Sequence, residues 1–193
     1  MDKFPDLMTL AINFGKIMPP FIMLLQGICG IIGMWLFVTG LTDVVGVSNP
    51  NMDKYIASRS KYSVSGAIVK MVIGSFFVGM ATLQLVGILS RSLTGDYANS
   101  RMLSYSSAGT TLEQQAQLAT LGLLSVVQAV GFVALMKGLF TLVGRFNGEN
   151  NANLGTASTV IIGGVLAWNF KWFADVINNQ FGYNIIGLFG AWN

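Results

Sequence analysis

Charge-free stretches long enough to cross a membrane alternate with polar segments along this chain. Residues 17–41, 71–89, 118–136 and 154–170 contain no Asp, Glu, Lys or Arg. A bilayer core takes about 20 apolar residues of helix. In hydrocarbon a helix is the open backbone form that satisfies its own N–H and C=O groups. The pattern predicts helices over 18–42, 64–90, 116–143 and 156–178. The expected fold is all-α: a polytopic membrane protein forming a single membrane domain, 1–193. Its four transmembrane helices would be arranged as two tandem hairpins, 18–90 and 116–178, with amphipathic segments at the termini.

The fourth helix carries the weakest pattern, because Asn169, Lys171, Asp175 and Asn178 interrupt it. A Lys or Asp near the membrane centre costs roughly 2.5–3.5 kcal/mol, against about 0.3–0.6 kcal/mol returned by each Leu or Ile. Gly164, Trp168, Lys171, Asp175 and Asn178 recur at spacings of three and four. They are expected on one face, turned into a bundle or lumen. Two flanking pieces are amphipathic. Phe4, Leu7, Met8, Ala11, Phe14 and Met18 predict a short interfacial helix that ends where Pro19-Pro20 opens the first span. Phe181, Tyr183, Ile185, Leu188, Phe189 and Trp192 predict a tail on the membrane surface. Between spans, residues 43–63 carry Lys54, Arg59 and Lys61, residues 90–115 are rich in Ser and Thr, and residues 145–155 read as a turn. Thr110-x-x-Glu113 is a capping box suited to open the third helix.

Composition agrees with lipid as the solvent. Hydrophobic residues make up 53% of the chain and charged ones 10%, well under the roughly 25% charged of soluble domains. The net charge of +3 is small, and no aromatic-plus-basic run of the kind that binds nucleic acid is present. Sequence-specific nucleic-acid binding is therefore not expected. The chain has no histidine and one cysteine, Cys29, so the commonest metal ligand and general base are missing. No catalytic spacing, metal site or cofactor site is expected, and the chain does not read as an enzyme. Residues 1–16 lack the basic start of a signal peptide. Ile28 before Cys29 does not suit a lipoprotein site, and Cys29 is expected to be a buried small apolar residue. The basic residues are denser in the loops 43–63 and 144–155 than around Lys3, Lys16, Arg91 and Arg101. This predicts cytoplasmic hairpin loops and external termini, which in a bacterial inner membrane means periplasmic termini.

Shifting the chain by 98 residues lays GIIGMWLFVTGLTDVVG (30–46) over QAVGFVALMKGLFTLVG (128–144), matching Gly33 to Gly131 and Gly40 to Gly138. Past a shorter loop, MVIGSFFVG (71–79) lies over VIIGGVLAW (160–168). A two-span repeat preserves orientation, so the halves would be parallel, unlike the inverted repeats of many transporters. Small residues mark the helices: Gly27, Gly30, Gly33 and Gly40 in the first, Ser75 and Gly79 in the second, Gly163 and Gly164 in the fourth. Such residues let helices approach closely, either within one chain or between copies.

Ionisable residues inside spans are functional candidates by default. Here they are Asp43, Lys70, Lys137, Lys171 and Asp175. Lys70 and Lys137 are candidates to face a lumen or the cytosol, together with Lys54, Arg59 and Lys61 of the first loop. The same lysines could instead snorkel to the surface. Asp43 is expected at a solvated helix end, and Lys171 with Asp175 could form a neutral i, i+4 pair.

The run MLLQGICGIIGMWLFVTGL, the loop and helix KYIASRSKYSVSGAIVKMVIG, and the ending FADVINNQFGY resemble the IcmC/DotE-like proteins, which have TraQ- and TraR-like counterparts. That resemblance implies an inner-membrane component of a type IVB (Dot/Icm or IncI conjugation) secretion apparatus, and it supplies no catalytic residues. Pilins of related systems are two-helix hairpins with a basic cytoplasmic loop. The chain is therefore expected to be a duplicated pilin-like subunit. Its partners would be membrane lipid, further copies of itself and other secretion subunits. A stand-alone small transporter or channel, built around Lys137, Lys171 and Asp175, is one alternative; an accessory scaffold is another.

Overall fold

The computed structural model describes residues 7–48, 64–95, 112–147 and 153–182. Among them every regular element is a helix: α1 (Leu7–Ser48), α2 (Val64–Ala81), α3 (Gln84–Thr94), α4 (Leu112–Phe146), α5 (Leu154–Trp168) and α6 (Phe170–Phe181). Three of the stretches, Leu7–Ser48, Val64–Ala81 and Gln114–Phe146, are each long and apolar enough to cross a membrane. Helices α5 and α6, bent by 72° at their junction, make a fourth crossing if counted together. The exposed surface is apolar to match, with Ile31, Met34 and Trp35 of α1 among the most open side chains.

Helix boundaries depart from the hydropathy pattern in three places, each for a backbone reason. No separate interfacial helix precedes Pro19-Pro20; α1 runs through both prolines. A proline removes one i→i−4 bond and crowds the carbonyl four residues back. For Pro19 that carbonyl belongs to Gly15, which has no side chain to add to the crowding. The second helix does not continue to residue 90. It stops at Ala81, and Leu83 takes a φ of 58°, a left-handed conformation costly for a residue with a Cβ. The amphipathic α3 then starts afresh. The fourth helix breaks at Asn169, so Gly164, Trp168, Lys171 and Asp175 do not share one continuous helix face.

The described residues form two compact units. One comprises those within 1–24, 87–133 and 164–193; the other comprises those within 25–86 and 134–163. In the first, the start of α1 meets α4 where a Cβ on Gly122 would collide with the Ala11 carbonyl. Phe132 stacks at a tilt on Trp168 with centroids 5.9 Å apart. An apolar groove of about 500 Å³ runs between Leu7, Leu10 and Phe14 of α1 and Ala116, Leu123 and Val126 of α4. Its one hydroxyl, Thr120, donates to the Ala116 carbonyl, and among the described residues no charged side chain lines it. In the second unit α1 and α2 run antiparallel, since Gly33 meets Gly74 and Val78 while Gly40 meets Ala67 and Met71. Phe77 of α2 stacks on Phe140 of α4 at 4.7 Å, and Cys29 is fully buried.

Candidate functional site

The chemistry-bearing residue types of the spans resolve into three arrangements: a buried ion pair, a set of glycine contacts, and a polar link at a helix bend. The ion pair joins α1 to α2. Lys70 Nζ donates to Asp43 Oδ2 at 2.9 Å, and the side chains are only 9% and 2% exposed. Asp43 is therefore not a solvated helix end, and Lys70 is buried against it within the chain. The two are 27 positions apart. They meet because α1 continues as helix to Ser48 and α2 returns alongside it. An isolated charge in hydrocarbon is costly, and pairing with hydrogen bonding is what permits burial.

The glycine contacts follow one rule at four places. A Cβ on Gly33 would stand 2.8 Å from the Gly74 oxygen and 2.8 Å from the Val78 nitrogen. A Cβ on Gly131 would stand 2.8 Å from the Gly164 oxygen and 2.6 Å from the Trp168 nitrogen. One Cβ on Gly40 would lie 3.0 Å from the Ala67 oxygen and 2.9 Å from the Met71 nitrogen; one on Gly138 would lie 3.2 Å from both the Ala157 oxygen and the Ile161 nitrogen. The partner atoms are the same in each case, and 98 residues separate the glycines while 90 separate their partners. Helix ends obey the same offsets: α1 ends at Ser48 and α4 at Phe146, while α2 begins at Val64 and α5 at Leu154. The sequence alignment of the second helices is thus one residue out of step. By these contacts Gly74 corresponds to Gly164, whereas laying MVIGSFFVG over VIIGGVLAW sets it on Gly163.

Not every small residue serves in these contacts. Gly27 and Gly163 are exposed, and a Cβ on either would meet nothing within 4 Å. Gly30 only approaches Ala81, at 3.6 Å, and Gly79 approaches Leu85 beyond its own helix end. Ser75 is exposed and returns its hydroxyl to the Met71 carbonyl. Gly74 and Gly122 were missed by the sequence reading. Gly74 was legible as the residue one register step from Gly163, whereas Gly122 had no signal beyond being a glycine.

The polar link lies in the unit that holds the bend. Asn169 Nδ2 donates to Ser90 Oγ of α3 at 2.9 Å and to the Val165 carbonyl at 2.8 Å. A carbonyl only accepts, so the amide orientation is fixed. Asn169 Oδ1 is buried with no partner among the described residues, which reduces the net gain. Ser90→Ala should cost about 0.6–2 kcal/mol, the range for interhelical polar contacts in membranes. Unfolding in bicelles, compared with Ser92→Ala on the exposed side of α3, checks this.

Lys171 pairs with Asp175 at 3.2 Å, both side chains partly exposed. Lys137 is exposed on α4, and among the described residues its ammonium has no hydrogen-bond or ion-pair partner. Lys54, Arg59 and Lys61 lie outside the described residues, as do Thr110 and the aromatic tail beyond Gly182. Among the described residues no group of three or more acidic, Cys or His side chains is placed to hold a metal. No family model, curated protein or solved structure matches the chain.

Proposed function

We propose that the chain is a structural subunit of a membrane-embedded assembly, built as two tandem, parallel helical hairpins, and that the assembly is a type IVB secretion or conjugative apparatus of the bacterial inner membrane. The observation that carries the architectural half is the repeated glycine contact: Gly33 on Gly74 and Gly131 on Gly164, with the same backbone atoms facing the glycine in each. Shared offsets of helix ends and contacts are what a duplicated hairpin requires, with α1 and α2 as one copy and α4 and α5 as the other. After each second helix the chain breaks and continues as a short amphipathic helix: α3 suits an interface, and α6 joins α5 in the fourth crossing. The choice of apparatus rests on the resemblance of residues 23–41, 54–74 and 173–183 to the IcmC/DotE-like proteins.

A packing role fits the ion pair as well. A lysine held by its own aspartate inside the bundle is unavailable to cargo, which weighs against Lys70 as a conduit lining. Lys137, exposed on α4, is left for contacts outside the chain. The test is genetic and physical together. Deleting the gene from a cell carrying the apparatus should abolish transfer of DNA or protein, and the chain should sediment with inner-membrane vesicles and co-purify with apparatus subunits. Normal transfer in the deletion strain would reject the secretion assignment. Flux of ions through the purified, reconstituted chain would favour the transporter reading in its place.

A further inference from the structure

The two helix pairs treat an intramembrane lysine differently. In the first, Lys70 is buried and answered by Asp43 of the same chain. At the offsets fixed by the glycine contacts, the position of Asp43 is held in the second pair by Thr141 and that of Lys70 by Val160. Lys137 nonetheless stands on α4, inside the apolar stretch Gln114–Phe146. It shares its exposed face with Phe140, which is 42% exposed, and with half-buried Ala134 and Thr141. Thr141 brings no charge to answer it; its hydroxyl donates to the Lys137 backbone carbonyl at 2.9 Å.

Three occupants could answer this charge. A lipid phosphate at the nearer end of the helix is the first. Lys137 precedes that end, Phe146, by nine residues, or ~13 Å of helix. The Cα–Cβ bond of a helical residue leans toward the N-terminus, so the side chain sets out away from that surface. A second copy is the next occupant; among the described residues its acids are already engaged or distant, and its other acids, Asp2, Asp6, Asp53, Asp96 and Glu149, lie in sequence outside every charge-free stretch. Asp43 is buried against Lys70, Asp175 is engaged by Lys171, and Glu113 belongs to the opposite end of α4. The third is a foreign helix with its own carboxylate. An apolar face with a single cation complements such a helix in both shape and charge.

We propose that the face of α4 formed by Ala134, Lys137, Phe140 and Thr141 docks a membrane-spanning helix of a different protein, one that carries an Asp or Glu within its span. The inference rests on the reading of the chain as a subunit of a larger assembly, but its test does not use transfer as a readout. Full-length protein is reconstituted in phosphatidylcholine vesicles with a dye-labelled, leucine-rich transmembrane peptide holding one central Asp, and association is read by energy transfer. The Asp peptide should associate about tenfold more tightly than the same peptide with Leu in that place, the scale of an interhelical polar contact in a membrane. Lys137→Met, checked for unchanged helicity, should erase the difference. Lys137→Asp should move the preference to a peptide holding Lys.

Equal binding of the Asp and Leu peptides overturns the proposal, as does a preference that survives in Lys137→Met. If phosphatidylglycerol added to the vesicles removes the Asp preference in the original protein, the face serves an anionic headgroup, and the proposal fails on that side. A chain that supports transfer yet ignores the Asp peptide would defeat this inference alone. Loss of the secretion assignment would leave the peptide result standing.

Discussion

Replacing Asp43 with alanine should lower folding stability by about 3–5 kcal/mol, the cost of leaving one member of a buried pair without its counter-charge. Lys70 has little means of escape. Its side chain is 9% exposed, and it enters α2 six residues past the start at Val64, with helix packed around it. The loss therefore reflects a stranded ammonium more than the net strength of the pair, and the double variant separates the two. Asp43→Leu combined with Lys70→Met should recover most of the stability and could exceed the starting value, since well-packed apolar replacements of buried pairs are often neutral or stabilising by 1–4 kcal/mol. Steric-trap unfolding in bicelles measures all three proteins. Lys171→Met is the control: its pair with Asp175 is partly exposed, and such i, i+4 pairs contribute only about 0.3–0.5 kcal/mol. If Asp43→Ala behaves like Lys171→Met, the buried pair is not what holds α1 to α2.

Adding a single methyl group to the glycines should have opposite signs at different positions. At Gly33 and Gly131 the new Cβ would lie 2.6–2.8 Å from backbone atoms of the neighbouring helix. Backbone cannot swing aside as a side-chain tip can, so the helices must separate. Such overpacking costs typically 1–3 kcal/mol, against the roughly 1 kcal/mol that alanine gains over glycine in a helix. The net should be destabilising at both sites, and by similar amounts if the contacts are equivalent. At Gly27 and Gly163 nothing lies within 4 Å, so alanine should stabilise by up to about 1 kcal/mol. Leucine widens the contrast: Gly33→Leu and Gly131→Leu should fail to fold into a compact bundle, while Gly27→Leu and Gly163→Leu are tolerated. The same unfolding assay reads the ranking. Loss at Gly27 equal to that at Gly33 would mean that the glycine faces have been assigned wrongly.

The spans were legible because hydrocarbon penalises charge so heavily that residues 17–41 or 118–136 have few other places to be. The breaks were not, because hydropathy is blind to φ. Nothing in the apolar character of Leu83 announces a left-handed residue, and Asn169 reads as one polar blemish where it is the joint between α5 and α6. Continuity of α1 through Pro19-Pro20 was hidden for the converse reason: proline signals a stop, and the glycine that softens its clash sits four residues earlier. Gly33 with Gly40, and Gly131 with Gly138, stand seven residues apart in the sequence, and all four meet a neighbouring helix. In the fourth span, consecutive Gly163 and Gly164 give a sequence no means of choosing, and of the two only Gly164 lies at the contact with Gly131. The Asp43–Lys70 pair was out of reach, since its members appear in the sequence as two separate candidates flanking a long loop.

Side-specific labelling of single cysteines, in a Cys29→Ser background, tests the tandem parallel arrangement most directly. Ser58→Cys reports on the segment after α1, Ser104→Cys on that before α4, and Asn150→Cys on that after α4. A membrane-impermeant maleimide applied to intact and to opened spheroplasts should mark positions 58 and 150 from the same side of the membrane and position 104 from the other. Labelling of 58 and 150 from opposite sides would contradict two parallel hairpins, whatever the glycines do.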